Sequence, residues 1–179
     1  MSKQLDHIDD EMVAWMDQQP VFFVASAPLS AQGHVNCSPK GGDCFRVLNP
    51  MQVAYLNFTG SRAETAAHVR ENGRIVLMFC AFEGKPNIVR LHGRGEVLTP
   101  ASPEFDALAS SFPPNPGARA LVRVNVSRIS TSCGFAVPFM EFRADRDTLD
   151  RWAAANGPDG LAEYRQAKNA QSIDGLPAL

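Results

Sequence analysis

The sequence predicts a mainly β (α+β) fold: an antiparallel barrel of six or seven strands with peripheral helices and a helical C-terminal tail. Three observations carry this. Short β-branched and aromatic runs recur along the first 145 residues, most of them linked by turns. Few segments show helical periodicity before residue 145. The strands do not alternate with helices in the regular way a doubly wound sheet needs.

The elements follow in order. Over residues 7–19, Ile8, Met12, Trp15 and Met16 recur at helical spacing, and Pro20 ends the segment. Residues 21–27 are β-branched and aromatic and read as a strand buried on both faces. A turn at 30–33 leads to a second strand over 34–38, and Pro39-Lys40-Gly41-Gly42-Asp43 breaks the regularity. A third strand spans about 52–58. Ser61 and Glu64 have capping-box spacing before a helix that runs to about Glu71, where Asn72-Gly73 stops it. The run 74–82 is nearly all apolar and reads as a central strand. Residues 88–98 alternate, with Gly93 and Gly95 leaving one face bare, as tight curvature or a close backbone would require.

A short helix is expected over 102–111. Residues 119–129 alternate with Ala120, Val122, Val124 and Val126 inward, and a final strand is expected at 140–143. In the tail, Leu149, Trp152 and Ala153 form an inward helical face. Gly157-Pro158 separates a second helix, and residues 172–177 form an ordered turn. At 179 residues the whole chain, 1–179, reads as one domain with a helical extension from about 145 to 179.

Composition narrows the function. The net charge of −2 gives no basic face for nucleic acid. No apolar run is long enough to span a membrane, and the polar first ten residues contain no apolar signal core, so the expected location is cytoplasmic. The four cysteines form no C-x-x-C pair and read as reduced thiols. No H-E-x-x-H spacing suggests a metal site, and no His-Asp or His-Asn pattern stands beside Cys133 to make it a nucleophile.

Three segments could carry chemistry. A helix N-terminus at Ser61 can hold a phosphate, with Arg62 offering a guanidinium and Thr65 a hydroxyl one turn on; an ordinary cap with a surface arginine has the same pattern. Lys40, set between proline and glycine after Ser38, could meet an anion or a ring edge, or be a solvated lysine at a hairpin exit. The stretch from Ser130 to Pro138, with Ser132 and Cys133, could line a flat ring or simply link two strands.

In this order the segments resemble the FMN-binding split barrel of the pyridoxamine 5′-phosphate oxidase family. The matching motifs are Asn36-Cys37-Ser38-Pro39-Lys40-Gly41, Tyr55-Leu56-Asn57-Phe58-Thr59-Gly60-Ser61-Arg62-Ala63-Glu64-Thr65 and the strand pair 74–82 and 89–97. Thr131-Ser132-Cys133-Gly134-Phe135-Ala136-Val137-Pro138 and Lys168-Asn169-Ala170-Gln171-Ser172-Ile173-Asp174-Gly175-Leu176-Pro177 resemble segments common in one bacterial branch. The resemblance implies FMN as cofactor and a homodimer with the flavin at the subunit interface. It implies that Arg62, Ser61 and Thr65 meet the phosphate, with Thr59 in the same segment. It places Ser38 and Lys40 near the ring or ribityl chain, Ser132 and Cys133 along the ring, and Lys168 and Asn169 in the completed site.

The implied activity is an oxidoreductase acting on a small-molecule redox substrate. The sequence lacks the R-L-x-P-type carboxyl end and the arginine–histidine pair of the true oxidase, so the resemblance does not extend to pyridoxamine phosphate as substrate. Rival readings are a non-catalytic flavin- or haem-binding barrel, with His34 or His92 as haem ligand, and a reductase using F420 or NAD(P)H.

Overall fold

The computed structural model describes residues 3–179; Met1 and Ser2, part of the polar amino terminus, lie outside the described residues. In chain order the elements are β1 (Lys3–Leu5), α1 (Asp10–Asp17), β2 (Val21–Ser26), β3 (Asn36–Gly41), β4 (Phe45–Asn49), β5 (Gln52–Phe58), α2 (Glu64–Asn72), β6 (Arg74–Cys80), β7 (Ile88–Leu98), α3 (Phe105–Ala109), β8 (Ala118–Ser132) and α4 (Thr148–Lys168).

One antiparallel sheet runs β3-β2-β6-β7-β8-β5-β4, and β1 pairs β8 off this path. Its two edges, β3 and β4, are sequence neighbours. The short link between them forces the sheet to curl until its edges approach. Phe45 on β4 then stands 5.4 Å from Phe22 on β2 and 5.0 Å from Phe79 on β6, so the seam closes over a shared aromatic core. This is the split barrel the sequence predicts.

Two irregularities shape it. Gly93 lies beside a register shift between β7 and β8, and a Cβ there would sit 2.2 Å from the Asn125 carbonyl oxygen. Only glycine lets these strands approach so closely. Between β5 and β8, Asn57 pairs Ala120 while Phe58 pairs Ala118, which leaves Arg119 as the extra residue of a bulge.

Several expectations need correction. Pro39-Lys40-Gly41 does not break β3 but extends it, with Pro39 opposite Phe23. β3 is an edge strand, where a missing N–H costs no ladder bond. His34 and Val35 precede the strand rather than begin it. β2 is buried on one face only: Phe22, Val24 and Ser26 are buried, while Val21, Phe23 and Ala25 are half-buried. The strand expected at 140–143 is absent: among the described residues the segment makes one backbone bond, Met140 N–H to the Phe82 carbonyl at 3.1 Å, and pairs with neither edge of the sheet; β1 and β4 are additional. Of the expected inward face of α4, Ala153 is buried, Trp152 is half-buried and Leu149 is exposed; Leu161 adds a second buried contact. Gly157, at φ 63°, kinks α4 just before Pro158, as expected.

Candidate functional site

The N-terminus of α2 is the first piece. The capping box does not form. Ala63 occupies the cap, with no side-chain hydrogen bond, and Ser61 is left exposed outside the helix. The Glu64 carboxylate instead accepts from the backbone N–H of Ile173, 3.2 Å away in the C-terminal turn. The first-turn N–H groups therefore have no side-chain cap, and they carry the positive end of the helix dipole. Arg62 and Ser61 are exposed beside them, and buried Thr65 accepts from Asn36 Nδ2 at 2.9 Å. That last bond ties β3 to α2.

Beneath this end lies a buried cationic network. The bulge aims Arg119, only 7 % exposed, at Asn57 Oδ1, to which Nη2 donates at 3.1 Å; Nη2 also donates to the Arg62 carbonyl at 2.8 Å. Its Nη1 is buried with no partner. Burial, and then the neighbouring Arg165 guanidinium, lower the Arg119 pKa to about 10. Arg165 on α4 donates to Thr59 Oγ1 at 2.8 Å, and Asn169 Nδ2 donates to the Gly60 carbonyl at 2.8 Å. The segment 59–62 is thus held from below by β8 and from the side by the C-terminal extension. Past Asn169 the chain turns through Ser172 and returns to pack Ala178 against Ala63, Ala66 and Ala67.

Ser38 and Lys40 share the inward face of β3 with Asn36, opposite Val24 and Phe22. Ser38 Oγ is buried without a partner. Lys40 opens onto a cleft of about 1110 Å³ along the β3–β4 seam, with walls that include Phe22, Phe45, Phe79 and Phe82. Burial, and then Arg119, push the Lys40 amine below the usual lysine range.

The family model for pyridoxamine 5′-phosphate oxidase matches residues 8–133. The chain belongs to the pyridoxamine 5′-phosphate oxidase family. The pyridoxamine 5′-phosphate oxidase family protein ustO of Aspergillus flavus is 37 % identical over 191 residues, covering 97 % of this chain and 76 % of that protein. HupZ of Group A Streptococcus superposes with a TM-score of 0.54 at 24 % identity, over 68 % of this chain and 91 % of that one. A Clostridium acetobutylicum protein related to general stress protein 26 of the pyridoxinephosphate oxidase family gives 0.50 at 12 %, over 69 % and 86 %. These two likenesses concern the fold alone.

In this family member the structure gathers most of the expected residues at one end: Ser38, Thr59, Ser61, Arg62, Thr65 and Asn169, with Lys40 further along β3. Three stand apart. Lys168 is exposed, one residue before the inward Asn169. Ser132, whose Oγ accepts from Arg90 Nη1 at 2.9 Å, ends β8, and exposed Cys133 follows; both lie at the far end of the strand from Arg119. Ser130, Thr131 and Ser132 belong to β8, so the loop there begins only at Cys133.

Asn57, Arg119 and Arg165 were not singled out from the sequence. The available signal was an arginine beside the apolar run Ala120-Leu121-Val122. Of the histidines weighed as haem ligands, His34 has its Nδ1 2.6 Å from Asp174 Oδ1, and His92 is half-buried on β7, held low by burial and then by Arg128 and Arg90. Among the described residues no group of His, Cys, Asp and Glu could hold a metal ion, and no helix is long and apolar enough to cross a membrane.

Proposed function

We propose that the chain is an FMN-binding flavoprotein, a homodimer with flavin at the subunit interface, and an oxidoreductase acting on a small-molecule redox substrate in the cytoplasm. Residues 1–179 act as one unit, with the extension from about 145 to 179 part of the binding apparatus. One observation carries the reading: the uncapped N-terminus of α2, flanked by exposed Arg62 and Ser61, above a buried arginine with a spare donor. A phosphate dianion fits this donor set, because free N–H groups, a guanidinium and a hydroxyl converge with no carboxylate among them except Glu64, which is engaged by Ile173.

When bound, FMN supplies a ring that takes up or releases a hydride. The chain's own residues bind and orient. Arg62, Ser61 and Thr65 hold the phosphate. Arg119 and Asn169 fix the backbone carbonyls of Arg62 and Gly60, so the loop is formed before the ligand arrives. Ser38 and Lys40 line the route toward the ring, and Thr59 is locked by Arg165. Ser132 and Cys133 would line the flat ring, and Lys168 with Asn169 would complete the site. The exposed aromatic arm from Phe135 to Phe142 is the surface that the second copy covers.

The test is the visible spectrum of the purified protein after mixing with FMN and desalting. Retained flavin bands support the reading. A colourless protein that lets FMN wash away overturns it.

A further inference from the structure

The seam cleft that runs beside the proposed flavin route gives Lys40 a second kind of chemistry when flavin is absent. Lys40 points into it from an edge strand, beside Phe22 in register and near Phe45 and Phe79. Its volume of about 1110 Å³ exceeds what a small organic ligand needs, and its inner wall is aromatic. Among the described residues Lys40 makes no salt bridge and no side-chain hydrogen bond. Asp17, Asp43, Glu83 and Asp145 line the outer parts of the cleft, but none pairs with the amine, and Asp43 is bound to Arg46.

The charged or titratable groups that do influence Lys40 are the Arg119 guanidinium and the Cys44 thiol. The thiol is itself pushed up to about 11 by burial, so it is neutral and offers the amine no counter-charge. An amine buried against aromatic rings and facing another cation is in the setting that activates lysines as nucleophiles. The depressed pKa of Lys40 agrees with that geometry.

We propose that Lys40 is a carbonyl-reactive amine that captures small apolar or aromatic aldehydes in the seam cleft as reversible imines. The Nζ lone pair adds to the carbonyl carbon, and the carbonyl oxygen takes up a proton. Loss of one water then leaves the C=N bond. No electron is gained or lost, and hydrolysis restores both partners. The aromatic walls hold the aldehyde's body while the amine takes its carbonyl.

Trapping tests this on the purified chain without added flavin, so the outcome is separate from the FMN spectrum. The protein is incubated near neutral pH with benzaldehyde and sodium cyanoborohydride, and the adducts are mapped by peptide mass spectrometry. Exposed Lys85 and Lys168 are internal references. Lys40 is expected to label faster than both by roughly threefold or more despite its lower exposure, because the fraction of reactive free amine, not access, then sets the rate. The excess should shrink as the pH is raised. Labelling of Lys40 no faster than the references, or no labelling at all, overturns the proposal. A Lys40→Arg variant that folds should lose only this adduct; if it does not fold, the wild-type map decides alone.

Discussion

The two ends of β8 meet very different surroundings. At its start, Arg119 is buried in a bulge and bonded to Asn57 and to the Arg62 carbonyl, with Arg165 on α4 and Asn169 just past its end closing the same region. Beyond its finish, the chain from 133 to 147 forms no helix or strand, and Phe135 and Phe139 are 81 % and 84 % exposed. The first end is a rigid polar socket. The second is an apolar arm that the rest of the chain does not cover.

The strongest way to break the comparison is to strain the middle of the strand that joins the ends. Gly93→Ala places a Cβ against the Asn125 carbonyl of β8, and a backbone atom cannot move aside as a flexible side chain can. A loss of about 2–4 kcal/mol is expected in urea unfolding. A near-neutral result would mean that β7 and β8 can part there without cost.

Arg119→Met tests the socket directly. Lost are hydrogen bonds to two acceptors, each worth roughly 1.5–3 kcal/mol when the donor is charged. Relief of the repulsion from Arg165 and Lys40 offsets part of this, so the net loss should be about 2 kcal/mol, with weaker FMN binding. Stability that falls while FMN affinity holds would separate the socket from the ligand.

Arg62→Ala removes an exposed side chain whose own side-chain atoms bond nothing in the fold. Stability should not change, but FMN affinity should fall about ten- to hundred-fold, the worth of charge-assisted hydrogen bonds. Titration of the flavin absorbance reads this, and unchanged affinity would remove the phosphate assignment. Phe139→Ser tests the other end. Unfolding of the monomer should stay within about 0.5 kcal/mol, as for an exposed site. Sedimentation should show the proposed dimer weakened, and a dimer of unchanged strength would mean that the arm serves something else.

This contrast also explains what could be read from the sequence. Strands of β-branched residues, the glycine stop at Gly73 and the kink at Gly157-Pro158 are local signals, and the fold honours them. The capping-box spacing misleads because Glu64 is claimed by Ile173, 109 positions away, a contact that spacing cannot reveal. Arg119 stayed hidden because a bulge, not the strand period, turns it inward. Residues 140–143 look like a strand, but strand pairing is a long-range contact, and this exposed segment joins neither edge of the sheet. Pro39 reads as a breaker that puts Lys40 in a loop, unless β3 is known to be an edge.

The smallest effect concerns the clasp between the C-terminal turn and the β2–β3 hairpin. Asp174 accepts from the His34 backbone N–H at 2.8 Å and lies 2.6 Å from its Nδ1. The side-chain and then the backbone bond to His34 hold the Asp174 carboxyl below its ordinary value of 3.8. A carboxylate with a depressed folded pKa contributes stability that is fully present above its unfolded pKa. That contribution is lost as the pH falls through the lower, folded value. Asp174→Asn should therefore lower the Tm slightly at neutral pH. The gap to wild type should close in acid, below the unfolded value, as the wild-type carboxylate itself becomes protonated. Melting curves taken from neutral to strongly acidic pH check this. A gap that stays constant across the series would show that the turn is held by Ser172 and the Ala178 contacts, and that the socket end of β8 keeps its shape without the clasp.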